Sequence, residues 1–285
     1  MRLSDFCAPG PTGTCLTRAK TFRRNAYTAA SGAAVSDNRS MPTSPIMHTG
    51  PTEQLLTDLV ERLAARLHGA TVGSTADHPG RLDGVDDGDG RIVVGLTGAP
   101  GSGKSTLVAA LEERLRERGL LAGIVPMDGF HMSNAVLDAL DRHGRKGAPD
   151  TFDVAGYLSV LDRVRAPACA DVLAPVYRRD LHEPVAAGTL VHGPGVVLTE
   201  GNYLALDSGG WEDIRARIDL LVLVDVPEAE LVRRLVARHQ SFGRSAADAA
   251  HWVRTVDVPN ARLVTACAHR CDEIWRLEPA EAVDA

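Results

Sequence analysis

Residues 92–108 read I-V-V-G-L-T-G-A-P-G-S-G-K-S-T-L-V, and the rest of the chain is organised around this stretch. An apolar run typical of a buried strand leads into closely spaced glycines, and a helical pattern follows them. Positions 98–105 fit the pattern G-x-x-x-x-G-K-[ST]. Glycines permit backbone conformations that a Cβ atom forbids, so successive N–H groups can turn toward one point. The stretch therefore predicts a strand, an anion-binding loop and a helix.

This loop has the composition of a site for a nucleoside triphosphate. The helix that follows it directs its positive end at the bound phosphates. Lys104 adds a point charge for the β- and γ-phosphates, and the hydroxyl of Ser105 is placed to ligate Mg²⁺. We therefore predict ATP and Mg²⁺ as ligands. The predicted phosphate-binding residues are Gly98, Ala99, Pro100, Gly101, Ser102, Gly103, Lys104, Ser105 and Thr106.

The size and charge of the chain limit the function classes open to it. With 285 residues, 44% of them hydrophobic, the chain is long enough for one large α/β domain with an extension. A net charge of −6 argues against a general nucleic-acid binder, and no apolar run is long enough to span a bilayer. Five scattered cysteines favour a reduced, cytoplasmic protein without a disulfide framework.

Three regions of the chain differ in composition. Residues 1–48 contain several Arg and many small or polar residues without an apolar period, which predicts a disordered extension or a misplaced start; a targeting segment is the alternative. Residues 49–90 carry leucines at helical spacing from Thr52 and then a Gly- and Asp-rich loop, so we expect a helix packed on the core. Residues 91–285 form the P-loop domain.

Apolar runs and helical patterns alternate through this domain. The predicted strands are 91–97, 121–127, 195–200, 219–225 and 273–277. The predicted helices are 104–118, 153–165, 227–240 and 245–269. Such alternation predicts an α/β fold with a parallel β-sheet and helices on both faces. Ligands of these sheets bind at the carboxyl ends of the strands, so polar residues that follow strands are the candidates for chemistry.

Charged residues lie close to these strand ends. Asp128 follows the second predicted strand, where it can act as a general base for an attacking hydroxyl or be a simple turn aspartate. Glu200 ends the next strand, where it can help to hold Mg²⁺ or cap a helix. Arg234 and Arg238 share one helix face, either as cations of a helical lid over a transferring phosphoryl group or as a solvated basic surface.

The order of the motifs carries a family resemblance. After the P-loop come D-G-F-H, R-K-G-A-P-D-T-F-D, A-P-V-Y-R-R-D-L-H, V-L-T-E-G-N-Y and D-V-P-N-A. This order resembles the superfamily of phosphoribulokinases, uridine kinases and bacterial-type pantothenate kinases, over about residues 91–278. The resemblance implies a P-loop kinase domain. It further implies that Asp128 takes the proton of the acceptor hydroxyl, that Glu200 lies near Mg²⁺, and that Arg234 and Arg238 contact ATP phosphates.

The same resemblance marks an acceptor wall. Tyr177 and His182 match a Tyr and a His that line the acceptor pocket of uridine kinases, and Asp150 falls on an aspartate near the ribose hydroxyls. Asn260 resembles an acceptor-pocket Asn of pantothenate kinases. His131 stands where uridine kinases have an aromatic residue; it can contact a sugar hydroxyl or be a core histidine bonded to the backbone.

The chain also departs from both types of kinase. Pantothenate kinases carry a further Asn where this chain has Leu263 and Val264, and uridine kinases differ at His131 and Met132. We therefore expect an ATP-dependent kinase whose acceptor is a hydroxyl of a small metabolite: a nucleoside such as uridine, a pantothenate-like alcohol or a sugar. The alternative is a P-loop ATP-binding regulatory module without acceptor activity. We expect neither nucleic acid nor membrane as a partner, and leave a homodimer open.

Overall fold

The computed structural model describes residues 44–69, 90–166 and 170–277. Most of the predicted extension and of the Gly- and Asp-rich loop lies outside these residues. The strands are β1 (Ile46–Gly50), β2 (Arg91–Gly98), β3 (Leu121–Pro126), β4 (Val172–Arg178), β5 (Glu183–Val191), β6 (Gly195–Gly201), β7 (Leu220–Asp225) and β8 (Glu273–Leu277). The helices are α1 (Thr52–Leu67), α2 (Lys104–Glu117), α3 (Asn134–Ala139), α4 (Val154–Arg165), α5 (Glu228–Ser241), α6 (Ala246–Trp252) and α7 (Val258–Ala266).

Six strands form one parallel sheet in the order β1-β8-β7-β2-β6-β3. Strand β2 lies inside this sheet and is buried at every residue, as expected for a parallel sheet that is covered on both faces. The predicted α/β fold is confirmed. The loop that follows β2 opens at the carboxyl edge of the sheet, beside the ends of β7 and β6.

Two apolar layers cover the two faces of the sheet. Successive side chains of a strand point to opposite faces, so Ile92 and Val94 pack in one layer and Val93 in the other. The first layer contains leucines of α1 and α2, such as Leu59 and Leu111. Fully burying one such side chain contributes about 1.5–3 kcal/mol. The helical spacing of leucines after Thr52 thus reflects a helix that packs on the sheet.

The sequence interpretation missed strand β1. Its first residues fall within 1–48, for which the composition predicts an extension without structure, yet Ile46–Gly50 pairs with β8 from Glu273 onward. This strand has five residues, and Met47 near its start is exposed. Such a short edge strand is held by backbone hydrogen bonds and has no apolar period to reveal it.

The helix predicted over 245–269 is observed as an unbroken helical stretch from Ala246 to Ala266 that contains one irregular turn. A π-helical turn, Val253–Asp257, separates α6 from α7, and Pro259 lies in the first turn of α7. Proline lacks an N–H group and its ring clashes with the preceding turn of a regular helix, so it is favoured where a helix starts.

Within the described residues no helix is both long and apolar enough to cross a membrane.

A two-stranded antiparallel hairpin, β4 with β5, was also missed. It packs beside the edge strand β3, where His192 N–H donates to Ala122 O at 2.9 Å and Thr189 Oγ1 donates to Ile124 O at 3.1 Å. Pro175 interrupts the first strand and its ladder shifts register there. The hairpin carries Tyr177 and, in its connection, His182, two of the predicted site residues.

Candidate active site

The phosphate-binding loop has the backbone that its glycines permit. Gly101 and Gly103 have φ values of +82° and +95°, the left-handed region that other residues rarely adopt. At Gly98 a Cβ atom would lie 2.7 Å from Ser102 Oγ and 2.9 Å from Val224 O. Any side chain at these positions would strain or fill the loop, which explains the glycine-rich pattern in physical terms.

Lys104 begins α2 and lies among both acidic and basic groups. Burial lowers the pKa of its ammonium group, while the charges of Glu200 and Asp128 raise it. The guanidinium groups of Arg238 and Arg179 lower it further. Lys104 therefore lies within electrostatic reach of two carboxylates and two guanidinium groups.

Ser105 and Glu200 stand side by side. The Ser105 hydroxyl donates to Glu200 Oε2 at 3.2 Å, because β6 runs parallel to β2 and ends next to the loop. Burial raises the pKa of the Glu200 carboxyl, and the Lys104 ammonium group opposes this. A hydroxyl and a carboxylate at this edge are hard oxygen donors of the kind that Mg²⁺ takes together with substrate phosphates.

Asp128 lies beyond the end of β3, on a short 3₁₀ turn, Met127–Phe130. Strand β3 pairs with β6 up to Glu200, so both acidic residues reach the same edge of the sheet. Gly129 permits close packing there, because a Cβ atom would lie only 2.1 Å from Pro175 O of β4. The turn that carries Asp128 therefore packs directly against strand β4 of the hairpin.

His131 shows one of the two alternatives that its sequence context left open, the histidine bonded to the backbone. Its Nδ1 atom is 2.8 Å from Asp128 O, so the ring is bonded to the backbone. The same ring lies between those of Phe152 and Tyr177, with centroid distances of 4.1 Å and 4.8 Å. Burial lowers the pKa of His131, and the Asp128 charge opposes this. His131 and Tyr177 thus form one wall next to Asp128.

Asp150 and His182 lie farther along this wall, and both accept hydrogen bonds from basic side chains. Asp150 Oδ2 accepts from Arg145 Nη2 at 2.5 Å, and its carbonyl accepts from Arg142 Nη1 at 2.8 Å. His182 is exposed with φ +53°, and its carbonyl oxygen accepts from Lys146 Nζ at 2.7 Å. The Asp150 carboxylate is thus held in an ion pair, whereas the His182 side chain is exposed.

Asn260 and the two arginines come from the helices after β7. Asn260 is half-buried in α7, next to Ala261, which packs against Ala99 of the loop. Arg234 Nη1 is 3.4 Å from Gly101 O and 3.5 Å from Ser102 O, while its Nε atom pairs with Glu230. Arg238 is exposed on the same helix, and its charge acts on Lys104. Of these three predicted residues, Arg234 approaches the loop backbone directly, and Asn260 is the chain neighbour of an alanine that packs on the loop.

Two residues that contact the segments carrying the predicted site residues were not themselves predicted. Tyr203 is buried and its hydroxyl donates to Gly147 O at 2.6 Å; burial, and then the charges of Asp128, Asp257 and Asp150, raise its pKa. The sequence signal that could have identified Tyr203 is its position three residues after Glu200, in the motif E-G-N-Y.

Lys146 is the second missed residue. Its Nζ atom donates to Asn134 Oδ1 at 2.6 Å and to His182 O at 2.7 Å, and lies 5.3 Å from the centroid of the Tyr177 ring. The motif R-K-G contains it, but neither periodicity nor spacing connects it with the hairpin. Its position depends on three segments that meet only in the folded chain.

Comparison with known sequences gives a consistent family. The model of the phosphoribulokinase / uridine kinase family matches residues 93–277. The uncharacterized protein YggC of Escherichia coli strain K12 is 36% identical over 61% of this chain and 73% of its own length. A candidate uridine kinase of Schizosaccharomyces pombe is 32% identical over 55% of this chain and 70% of its own length.

Solved structures share the fold. The crystal structure of a candidate fructose transport system kinase from Silicibacter sp. TM1040 has a TM-score of 0.64 and 34% sequence identity, and covers 77% of this chain and 98% of that one. A D-glycerate 3-kinase from Cryptococcus neoformans has a TM-score of 0.55 at 15% identity, covering 79% of this chain and 92% of that one. The second likeness concerns the fold alone.

Proposed function

The chain belongs to the phosphoribulokinase / uridine kinase family of P-loop kinases, and we propose that it transfers the γ-phosphoryl group of MgATP to a hydroxyl of a small metabolite. The observation that carries this proposal is the meeting of Lys104, Glu200 and Asp128 at the carboxyl ends of neighbouring parallel strands. The acceptor classes are a nucleoside such as uridine, a pantothenate-like alcohol or a sugar. Relatives named as candidate uridine and fructose transport system kinases support this range.

The residues present fit MgATP. The loop is a cradle that a Cβ atom at Gly98 would fill. Ser102 Oγ is buried beside it without a hydrogen-bond partner among the described residues. Ser105 and Glu200 would hold Mg²⁺ through a hydroxyl and a carboxylate oxygen, and the bound metal neutralises charge on the β- and γ-phosphates. The loop N–H groups and Lys104 bind and orient the phosphates.

In the proposed transfer, Asp128 accepts the proton of the acceptor hydroxyl. The acceptor oxygen forms a bond to the γ-phosphorus as the bond from that phosphorus to the β,γ-bridging oxygen breaks, and ADP leaves with the bond's electron pair. Arg234 and Arg238 stabilise the charge of the transferring group from α5. The products are ADP and a phosphate monoester.

The test is acceptor-dependent ADP release. The panel contains uridine, cytidine, pantothenate, ribulose 5-phosphate, glycerate and free sugars. We expect one class to raise ADP release well above the basal rate, and Asp128→Asn to lower kcat for that acceptor by about 10²- to 10⁴-fold, the usual contribution of a general base.

The matched control is Asp141→Asn. Asp141 is exposed with φ +54°, a conformation that Asn tolerates equally well, so wild-type turnover is expected. Turnover of Asp128→Asn within a few-fold of wild type contradicts the base assignment. A basal rate alone, with every acceptor, supports the ATP-binding regulatory module instead.

A further inference from the structure

The ammonium group of Lys146 has no carboxylate within ion-pair distance in the part of the chain that the structure describes. Its two hydrogen-bond partners are neutral oxygens, the amide of Asn134 at 2.6 Å and the carbonyl of His182 at 2.7 Å. These oxygens satisfy donors but leave a full positive charge on a half-buried group. Such a charge is stabilised by an anion that approaches it.

The acidic residues nearby are engaged elsewhere. The Glu183 carboxylate accepts the backbone N–H of Asn134 at 3.0 Å and 3.1 Å. Asp150 pairs with Arg145 at 2.5 Å, and Arg142 Nε lies 3.6 Å from the same carboxylate. Neither of these two carboxylates is paired with Lys146.

The lysine lies on the same wall as the proposed base. Its Nζ atom is 5.3 Å from the Tyr177 ring, and that ring is 4.8 Å from the ring of His131, whose Nδ1 atom is 2.8 Å from Asp128 O. The charge of Lys146 also acts on His131. Burial is the main cause that lowers the pKa of the His131 imidazole, and the positive charge of Lys146 lowers it further. Two ring contacts thus separate the ammonium group from the turn that carries Asp128.

We propose that the phosphoryl acceptor carries an anionic group, a carboxylate or a phosphate ester, and that Lys146 binds this group while Asp128 faces the hydroxyl. This inference rests on the proposed kinase function and narrows its acceptor to hydroxy acids and sugar phosphates. A neutral nucleoside or free sugar would leave the lysine without a counterion. Lysine suits both anions because its ammonium group acts as a point charge.

The experiment compares pairs of related acceptors of which one carries an anionic group and the other has a hydroxyl in its place. The pairs are glycerate with glycerol, pantothenate with pantothenyl alcohol, and ribulose 5-phosphate with ribulose, each assayed by ADP release from the full chain with MgATP. For the pair that is accepted, we expect kcat/KM of the anionic member to exceed that of the neutral one by about 10- to 100-fold, the usual effect of a charged hydrogen bond. The identity of the pair separates a carboxylate from a phosphate.

Substitutions test the residue. Lys146→Met should raise KM for the anionic acceptor by about 10- to 100-fold, with kcat, KM for ATP and the rate with the neutral acceptor changed about twofold at most. Lys146→Arg, which keeps the charge, should recover part of the loss. The control Arg178→Met removes one positive charge from an exposed side chain that pairs with Asp180, and should behave like wild type.

The outcomes are distinct. An equal loss for the anionic and the neutral acceptor in Lys146→Met shows a merely structural lysine and overturns the proposal. A wild-type enzyme that prefers the neutral member of its pair also overturns it, but leaves the kinase function intact. ADP release that no acceptor increases overturns the kinase function, and this proposal with it.

Discussion

The donor half of the candidate site, residues 98–105, and the acceptor half, between residues 128 and 203, are built in different ways. The donor half is one continuous loop whose backbone turns at Gly101 and Gly103. The acceptor half collects side chains from a 3₁₀ turn, a loop and a hairpin, and contacts such as Lys146 with Asn134 hold it together. Backbone N–H groups bind phosphates of any donor, whereas side chains discriminate between ligands, so in the proposed kinase we expect the acceptor half to determine specificity.

Apart from Asp128→Asn, the largest effect should come from the lysine of the donor half. Lys104→Met removes the phosphate anchor and should lower kcat/KM by about 10²- to 10³-fold, by the same factor for every acceptor. Its matched control is Lys146→Met, which should affect anionic acceptors alone. Steady-state kinetics with two acceptors checks both variants. Acceptor-dependent losses in Lys104→Met would contradict the division into two halves.

A methyl group introduced at Gly129 should disrupt the packing of the acceptor half. In Gly129→Ala the new Cβ atom would meet Pro175 O at 2.1 Å, a backbone atom that cannot turn aside. We expect a loss of about 3 kcal/mol in the free energy of unfolding, as in strongly overpacked sites, and a higher KM for the acceptor. Denaturant unfolding and kinetics measure the two effects.

The control for this variant is Gly144→Ala. Gly144 has open space where a Cβ atom would stand and no positive φ, so alanine there should leave stability unchanged. If both alanine variants unfold at the same denaturant concentration, the packing of the hairpin on the D-G-F turn is not as tight as the structure indicates.

Glu273 lies outside both halves, and its substitution should change the stability of the fold without changing catalysis. Its buried carboxylate accepts from Arg62 at 2.6 Å and from Trp275 at 2.9 Å. Burial alone would raise the pKa of Glu273, but the hydrogen bonds and charge of Arg62 outweigh it and hold the pKa below its ordinary value. Glu273→Gln should therefore cost about 2 kcal/mol of unfolding free energy near neutral pH, with kcat/KM unchanged.

The pH dependence of this loss has a definite sign. A carboxyl whose folded-state pKa is lowered stabilises the protein above its ordinary pKa, and that stability is lost as pH falls through the lowered value. The difference in unfolding free energy between wild type and Glu273→Gln should therefore become smaller as the pH falls into the acid range. Glu117→Gln, an exposed glutamate of α2, is the control and should lie within about 0.5 kcal/mol of wild type at all pH values. A pH-independent difference would contradict the ion-pair explanation.

The smallest effect should come from Tyr203→Phe in the acceptor half. The variant removes the hydroxyl that donates to Gly147 O, and should cost about 1 kcal/mol of stability. Since Gly147 follows Lys146, KM for an anionic acceptor should rise several-fold while KM for ATP stays constant. Equal changes in both KM values would show that the two halves are coupled through this tyrosine.

The donor half and the two acidic residues at the edge of the sheet could be predicted because their determinants are local. The spacing of glycines around Lys104 specifies the loop, and parallel strands end at one edge of a sheet, so Asp128 and Glu200 were expected to meet. The acceptor half depends on longer contacts. Lys146 meets His182 across 36 residues and Tyr203 meets Gly147 across 56, and no periodicity records such pairs.

The sequence by itself determined the strand, loop and helix around residues 92–108, the parallel α/β sheet, and the acidic residues at its edge, because apolar periodicity and glycine conformation act over short distances along the chain. Only the tertiary structure decided the short strand β1, the hairpin beside β3 and the uncompensated charge of Lys146. These features arise from backbone pairing and side-chain contacts between distant segments, whose energies exist only when the whole chain is folded.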